Sequence, residues 1–381
     1  MRSQTAMQLL NKYLNTLHPD IETPALLVDT VRMDLNITRM QQIARENGID
    51  LRPHCKTHKS VQIAKKQLQA GAIGITVAKL GEAEIMANAG IDNIFIANQI
   101  THPKKISRLF NLHRNCQISL GIDHPDQVKM LKQVFINPRN PLEVLIEIDC
   151  GFHRCGVTIG DTLAALALMI KKAPGLRLKG VFTHAGHVYG ADDSTEVLRI
   201  GKSEGEYMQQ VLSALAKMDI SVNVISVGST PTAPVAAKNP AVTEIRPGNY
   251  VFHDQIQVSL GACKDEDCAL AVVATVIARP DVKRVIIDAG SKALNLDRGA
   301  HAVQKLSGFG RLANLRGEIV RLSEEHGIIE LNNDQNVPVG APVLIVPNHA
   351  CAVSNLYDYF HFVDAQGKWH KVPIDARGRS D

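Results

Sequence analysis

The chain has 381 residues, 45% hydrophobic and 21% charged, with a mean hydropathy of −0.04. That is ordinary globular chemistry, long enough for one large domain and a smaller one. A net charge of +4 with no long Lys/Arg block argues against nucleic acid as the main partner, and no apolar run approaches the roughly 18–20 residues of a membrane helix.

Residues 1–22 read as a short amphipathic helix packing on the body, without the apolar core of a secretory leader. Seven scattered cysteines, an odd number, are no disulfide framework. They fit a reducing cytoplasm, where most would be small core residues. TPALLVD at 23–29 is a strand. Eight apolar, β-branched runs follow: LRPHCK (51–56), IGITVA (73–78), NIFIAN (93–98), QISLGID (117–123), EVLIEID (143–149), KGVFTHA (179–185), NVISVGS (223–229) and VTEIRPG (242–248). Helix-compatible segments separate them, which implies parallel pairing. Eight units suggest a (β/α)8 barrel over 23–264; an open doubly wound sheet would give the same alternation. From 265 the texture becomes β-rich, predicting an all-β domain over 265–381 that the 23–29 strand could join. The fold class is thus α/β plus all-β.

Polar and Gly-rich clusters sit just after the apolar runs, where a barrel of this kind carries its active site. Lys56 ends the first run between His54 and His58. It is either a surface lysine or a desolvated amine that condenses with an aldehyde. Arg154 lies in CGFHRCG after the fifth run, and His184 and Tyr189 lie in HAGHVY after the sixth. Gly228, Ser229 and Thr230 follow the seventh, and Gly248 and Asn249 the eighth. Glycine lets backbone N–H groups approach an anion, so these last loops suit a phosphate. A reactive lysine opposite a phosphate cradle makes pyridoxal 5'-phosphate (PLP) the economical cofactor. In the β-rich part, PNHAC places His349 and Cys351 on one side of an extended stretch. Imidazole with thiolate favours Zn2+, other divalent metals being possible; alone, the pair reads more simply as a satisfied histidine beside a buried cysteine. His153, His187 and His253 read as solvated or locally bonded loop histidines, and Asp288-Ala-Gly290-Ser-Lys292 as a turn. Glu147 and Asp149 would hold Arg154 or cap the fifth strand.

Together LRPHCKTHK, GFHRCG, THAGHVYG, VGSTPT, RPGNYVFHD and PNHACAVSN resemble the D-serine dehydratase / D-threonine aldolase family of fold-type III PLP enzymes. The resemblance spans about residues 20–360 and implies an alanine-racemase-like barrel, a C-terminal β domain and a homodimer. It implies Lys56 as the Schiff-base lysine, and His349 and Cys351 as metal ligands of the zinc-dependent D-serine dehydratase-like branch. Gly228, Ser229, Thr230, Gly248 and Asn249 would form the phosphate cradle; Arg154 and Tyr189 would meet the ring, with His184 beneath it. The expected reaction is loss of water from a D-β-hydroxy amino acid (D-serine, D-threonine or D-threo-3-hydroxyaspartate), giving an α-keto acid and ammonia. A D-threonine aldolase is the alternative, and a racemase or a non-catalytic PLP-binding protein are further ones.

Overall fold

The computed structural model describes residues 21–301 and 303–381, so most of the expected N-terminal helix lies outside the described residues. The chain divides into two units. One comprises 39–56, 60–248 and 378–381; the other comprises 21–38, 57–59 and 249–377. The boundaries at 56/57 and 248/249 fall inside two of the polar segments singled out above.

The first unit is the barrel. Its eight parallel strands are Asp50–Leu51, Ile75–Val77, Asn93–Ile96, Gln117–Ile122, Leu142–Ile148, Leu176–Thr183, Val224–Val227 and Glu244–Ile245, one in each apolar run. Neighbours pair in chain order, and the eighth pairs back onto the first. The ring closes between first and second: Ile73 N–H donates to Leu51 O (3.0 Å) and Thr76 N–H to Pro53 O (2.8 Å). The alternation of strand and helix is therefore a closed barrel, not an open sheet. The first strand is shorter than its run because Pro53 has no N–H to donate to a ladder; beyond it, an isolated bridge joins His54 to Thr76 and His54 N–H donates to Pro247 O (2.9 Å). Helices begin where the residues dictate. Pro103 and Pro125 occupy first-turn positions behind His102 and His124, whose Nδ1 atoms accept from Lys104 N–H (3.2 Å) and Asp126 N–H (3.1 Å).

The barrel interior is filled by side chains. Phe95 and Phe182 meet edge to face at 5.0 Å, packed with Leu145. Gly121 is required there, since a Cβ would lie 2.7 Å from the Phe182 ring. Arg246 is fully enclosed, its guanidinium 5.2 Å from the Phe182 centroid and its Nε donating to Ser226 Oγ (2.7 Å). Below it, Arg52 and Glu244 form a buried ion pair at 2.7 Å.

The second unit is built on a nine-stranded sheet. Ala25–Asp29 lies inside it, antiparallel to Leu270–Ala278 and parallel to Tyr359–Val363. All five of its residues are buried, as an apolar run in a central strand requires. Leu27, Ala271, Val273, Leu344 and Val363 make a core cluster. Asp288 accepts from Thr275 N–H (2.7 Å) and the Thr23 hydroxyl (2.5 Å), a structural role. Of the seven cysteines only Cys55, Cys116 and Cys268 are buried. The expectation that most are core residues is corrected by Cys150, Cys155, Cys263 and Cys351, which sit in or beside loops with partial or full access. No described helix is long and apolar enough to cross a membrane.

Candidate active site

At the barrel's C-terminal end, Lys56 sits half-buried in the turn Cys55–Thr57, its N–H 3.3 Å from His54 Nδ1. After the fifth strand, Asp149 folds the next loop back on itself. Its Oδ1 accepts from Gly151 N–H (2.9 Å) and His153 N–H (3.0 Å), and its Oδ2 meets His153 Nδ1 (2.8 Å). Burial opposes ionisation of Asp149, but these donors outweigh it and hold the carboxyl below its usual range. Gly156 takes φ +103° where a Cβ would lie 2.6 Å from Asp149 N. The loop so formed carries Arg154, whose guanidinium lies 5.2 Å from the Phe152 ring centre and 3.7 Å from Glu147 Oε1. Phe152 in turn meets the His184 ring edge to face at 5.7 Å. Tyr189 follows in the turn Gly186–Gly190. Phe152 thus links two residues expected at a cofactor ring, a link that no spacing announces.

Asp123, Glu147 and Cys155 bring ligand atoms within 4.8 Å of one another. Asp123 already accepts from Gly156 N–H (3.0 Å) and Gln127 Nε2 (2.8 Å), and Glu147 from Gln99 Nε2 (2.5 Å). A cation there would share these oxygens with their donors and sit near the Arg154 guanidinium, 3.7 Å from Glu147.

The loop after the seventh strand turns at Gly228, φ +96°. Its N–H donates to Glu204 Oε1 (3.0 Å), and Ser229 N–H to Thr232 Oγ1 (3.0 Å). These N–H groups, expected to face an anion, point into the protein. A phosphate at this loop would meet the buried hydroxyls of Ser229 and Thr230 instead.

In the second unit, His349 and Cys351 do not lie on a strand. His349, extended, is the N-cap of the short helix Ala350–Ser354, and Cys351 sits in its first turn. They meet because the chain turns, not because side chains alternate. The His349 ring Nδ1 is 2.8 Å from Asp297 Oδ2, so Nε2 is the nitrogen left for a metal. Burial disfavours the charged ring, but Asp297 and the Cys351 thiol outweigh it and push His349 up to about 10. Asn348 is tied to Asp297 O (2.9 Å) and Gly308 O (3.1 Å). Between the two candidate ligands, Ala350 N–H donates to the fully buried Asp254 (2.8 Å). Burial raises that carboxyl against the pull of His349 and its hydrogen-bond donors.

Asn249 Nδ2 donates to Asp254 (2.5 Å) and lies 3.8 Å from Cys351 Sγ, while its Oδ1 is buried without a partner. Thr57, the next residue after Lys56, has its hydroxyl 3.1 Å from Cys351 Sγ. Imidazole, thiol and an orienting carboxylate in one place suit a borderline divalent cation such as Zn2+. Asp297 and Asp254 were not legible beforehand: one lies 52 residues from His349, the other 96 from Ala350.

Comparison with known proteins identifies the family. The alanine racemase N-terminal domain family matches residues 28–255 and the putative serine dehydratase domain matches 269–363. The D-threo-3-hydroxyaspartate dehydratase of Delftia sp. (strain HT23) is 37% identical over 371 residues, covering 92% of this chain and 97% of its own. A D-threonine aldolase from Arthrobacter sp. is 30% identical, covering 89% and 88%. The solved Delftia structure superposes with a TM-score of 0.87 at 34% identity over 93% of this chain and 98% of its own. Structures of that dehydratase include a cysteine-to-alanine variant in the metal-free form. The chain belongs to the alanine-racemase and D-serine dehydratase/aldolase family of fold-type III PLP enzymes, which act as lyases and aldolases on D-β-hydroxy amino acids.

Proposed function

We propose that this protein is a PLP- and zinc-dependent dehydratase converting a D-β-hydroxy amino acid to an α-keto acid and ammonia. The water eliminated is regained when ammonia leaves, so the reaction balances as amino acid to keto acid plus ammonia. The observation that carries the reading is the His349–Cys351 pair oriented by Asp297, with the Thr57 hydroxyl 3.1 Å from the Cys351 sulfur and Thr57 directly following Lys56. When bound, PLP withdraws electrons from the substrate α-carbon and the metal stabilises charge on the departing β-oxygen.

Lys56 Nζ takes the α-proton from one face, which sets the D preference, and must be neutral to do so. His349 Nε2 and Cys351 Sγ hold the metal, with Asp297 fixing the ring. Arg154, held over Phe152, would hold the pyridine ring together with Tyr189 and His184. The hydroxyls of Ser229 and Thr230, on the loop that turns at Gly228, would hold the phosphate with the backbone at Gly248 and Asn249. The working form is a homodimer in the cytoplasm.

The test is product analysis on D-serine, D-threonine and D-threo-3-hydroxyaspartate, with and without a chelator. Keto acid and ammonia, lost on chelation and restored by Zn2+, are expected. Glycine with an aldehyde would instead assign the aldolase reaction, to which the Arthrobacter relative lends its weight. Full turnover in chelator would remove the metal from the account.

A further inference from the structure

The barrel helix Ser194–Ala216 carries a carboxylate that none of these roles uses. Glu204 is only 2% exposed. Two glycines bring it where it is. A Cβ on Gly201 would lie 3.0 Å from Val235 Cβ and 3.2 Å from Thr232 O, and one on Gly205 would lie 2.8 Å from Asn239 Cβ. The helix therefore packs on the 232–239 segment more closely than larger residues would permit. Glu204 Oε1 then accepts from Gly228 N–H (3.0 Å) and Oε2 from the Thr232 hydroxyl (3.0 Å), and Ala185 N–H bonds the same carboxylate. Thr232 Oγ1 in turn accepts from Ser229 N–H (3.0 Å) and lies 3.1 Å from Ser229 Oγ. Every direct partner is a donor. An ionised carboxylate accepts at both oxygens, whereas an amide accepts at one. Burial works against that ionisation and raises the carboxyl's pKa, with the hydrogen-bond donors and the Arg246 guanidinium pulling the other way.

A buried anion behind a loop that receives a phosphate costs binding through like-charge repulsion, so its value is geometric. Ala185 follows His184, and Gly228 opens the loop assigned to the phosphate. One side chain ties both segments.

We infer that Glu204 is the positioning residue of the phosphate loop. By occupying the N–H of Gly228 and, through Thr232, that of Ser229, it sets the loop so that the Ser229 and Thr230 hydroxyls meet the phosphate ester at a fixed offset from His184. This rests on the cofactor-site reading above.

The test is titration of full-length apoprotein with PLP and with pyridoxal, which has the aldehyde but no phosphate, followed by absorbance of the bound chromophore. Wild type should prefer PLP. Glu204→Gln should lose about ten- to a hundredfold in PLP affinity, the scale of one hydrogen bond to a charged group, with pyridoxal affinity held within about twofold. Thr232→Val should shift the ratio in the same direction, and Thr232→Ser should restore it; this pair decides the matter if Glu204→Gln does not fold. A wild type that prefers PLP alongside variants that keep the same preference, or lose both ligands equally, overturns the role of Glu204 alone. A wild type with no preference for PLP overturns the cofactor-site reading and this inference with it.

Discussion

One strand, Leu142–Ile148, carries two glutamates four residues apart, Glu143 at the entry end of the barrel and Glu147 at the exit end. They are chemically identical and both buried, yet their surroundings are opposite. Glu143 stands in register with Arg177 and is held by Arg177 and by Lys179 at 2.7 Å. Burial pushes its pKa up, but the two cations outweigh it and leave it below the usual range. Glu147 stands in register with Phe182. Its nearest cation is 3.7 Å away and largely directed at solvent, and burial pushes its pKa up. Charges at the entry end are matched, which serves stability. Glu147 at the exit end has an amide at 2.5 Å and a guanidinium at 3.7 Å in place of two close cations, the kind of imbalance found where a protein prepares a site.

The sharpest way to break this comparison is at the exit end itself. Lys56→Ala should abolish cofactor attachment, read by borohydride trapping and mass spectrometry, and lower turnover by about 10^2–10^4-fold, while the thermal midpoint stays near wild type. Retained turnover would mean that the exit end is not where the chemistry lies. Next, Asp297→Asn should weaken metal binding by about 10–100-fold, measured by equilibrium dialysis with Zn2+. Unchanged affinity would show that the carboxylate does not orient His349.

The two glutamates can then be set against each other. Glu147→Gln should cost roughly tenfold in kcat/KM, as Arg154 loses its charged neighbour, with stability within about 1 kcal/mol of wild type. Glu143→Gln should do the reverse, leaving kcat/KM alone and costing about 1 kcal/mol, since exposure of Arg177 screens half of the pairing. The smallest effect is in acid. A carboxylate with a depressed pKa stabilises the fold above its unfolded pKa of about 4.3, and the gain vanishes as pH falls through the lower folded value. The stability difference between wild type and Glu143→Gln should therefore close below about pH 4. Glu147 has the opposite sign: its ionisation penalises the fold at neutral pH, and acid relieves it. Parallel melting curves for the two variants across pH 3–7 would refute the distinction.

Much of the barrel was legible in advance. Each apolar run holds one strand because a parallel strand covered on both faces must be continuously apolar, a pattern local enough to read. Lys56 and the Gly-rich loops were legible because they follow strand ends, where polar residues interrupt that pattern. The His349–Cys351 pair was found by its spacing but for the wrong reason, since the pair straddles a helix cap instead of alternating along a strand. Its supporting carboxylates, Asp254 and Asp297, and the loop anchor Glu204 give no local sign of these roles, because Ala350, His349 and Gly228, which they hold, lie 96, 52 and 24 residues away.

What the residue order alone determined, then, is the number of barrel strands, their parallel alternation and the polar side chains at their ends, all consequences of short-range periodicity. Only the tertiary structure decided which carboxylates are neutralised, which imidazole nitrogen is occupied and which N–H groups of the glycine loop are already engaged. Burial and countercharge depend on residues far apart in the chain, and a glutamate's letter is the same whether two cations or a phenyl ring stand opposite it.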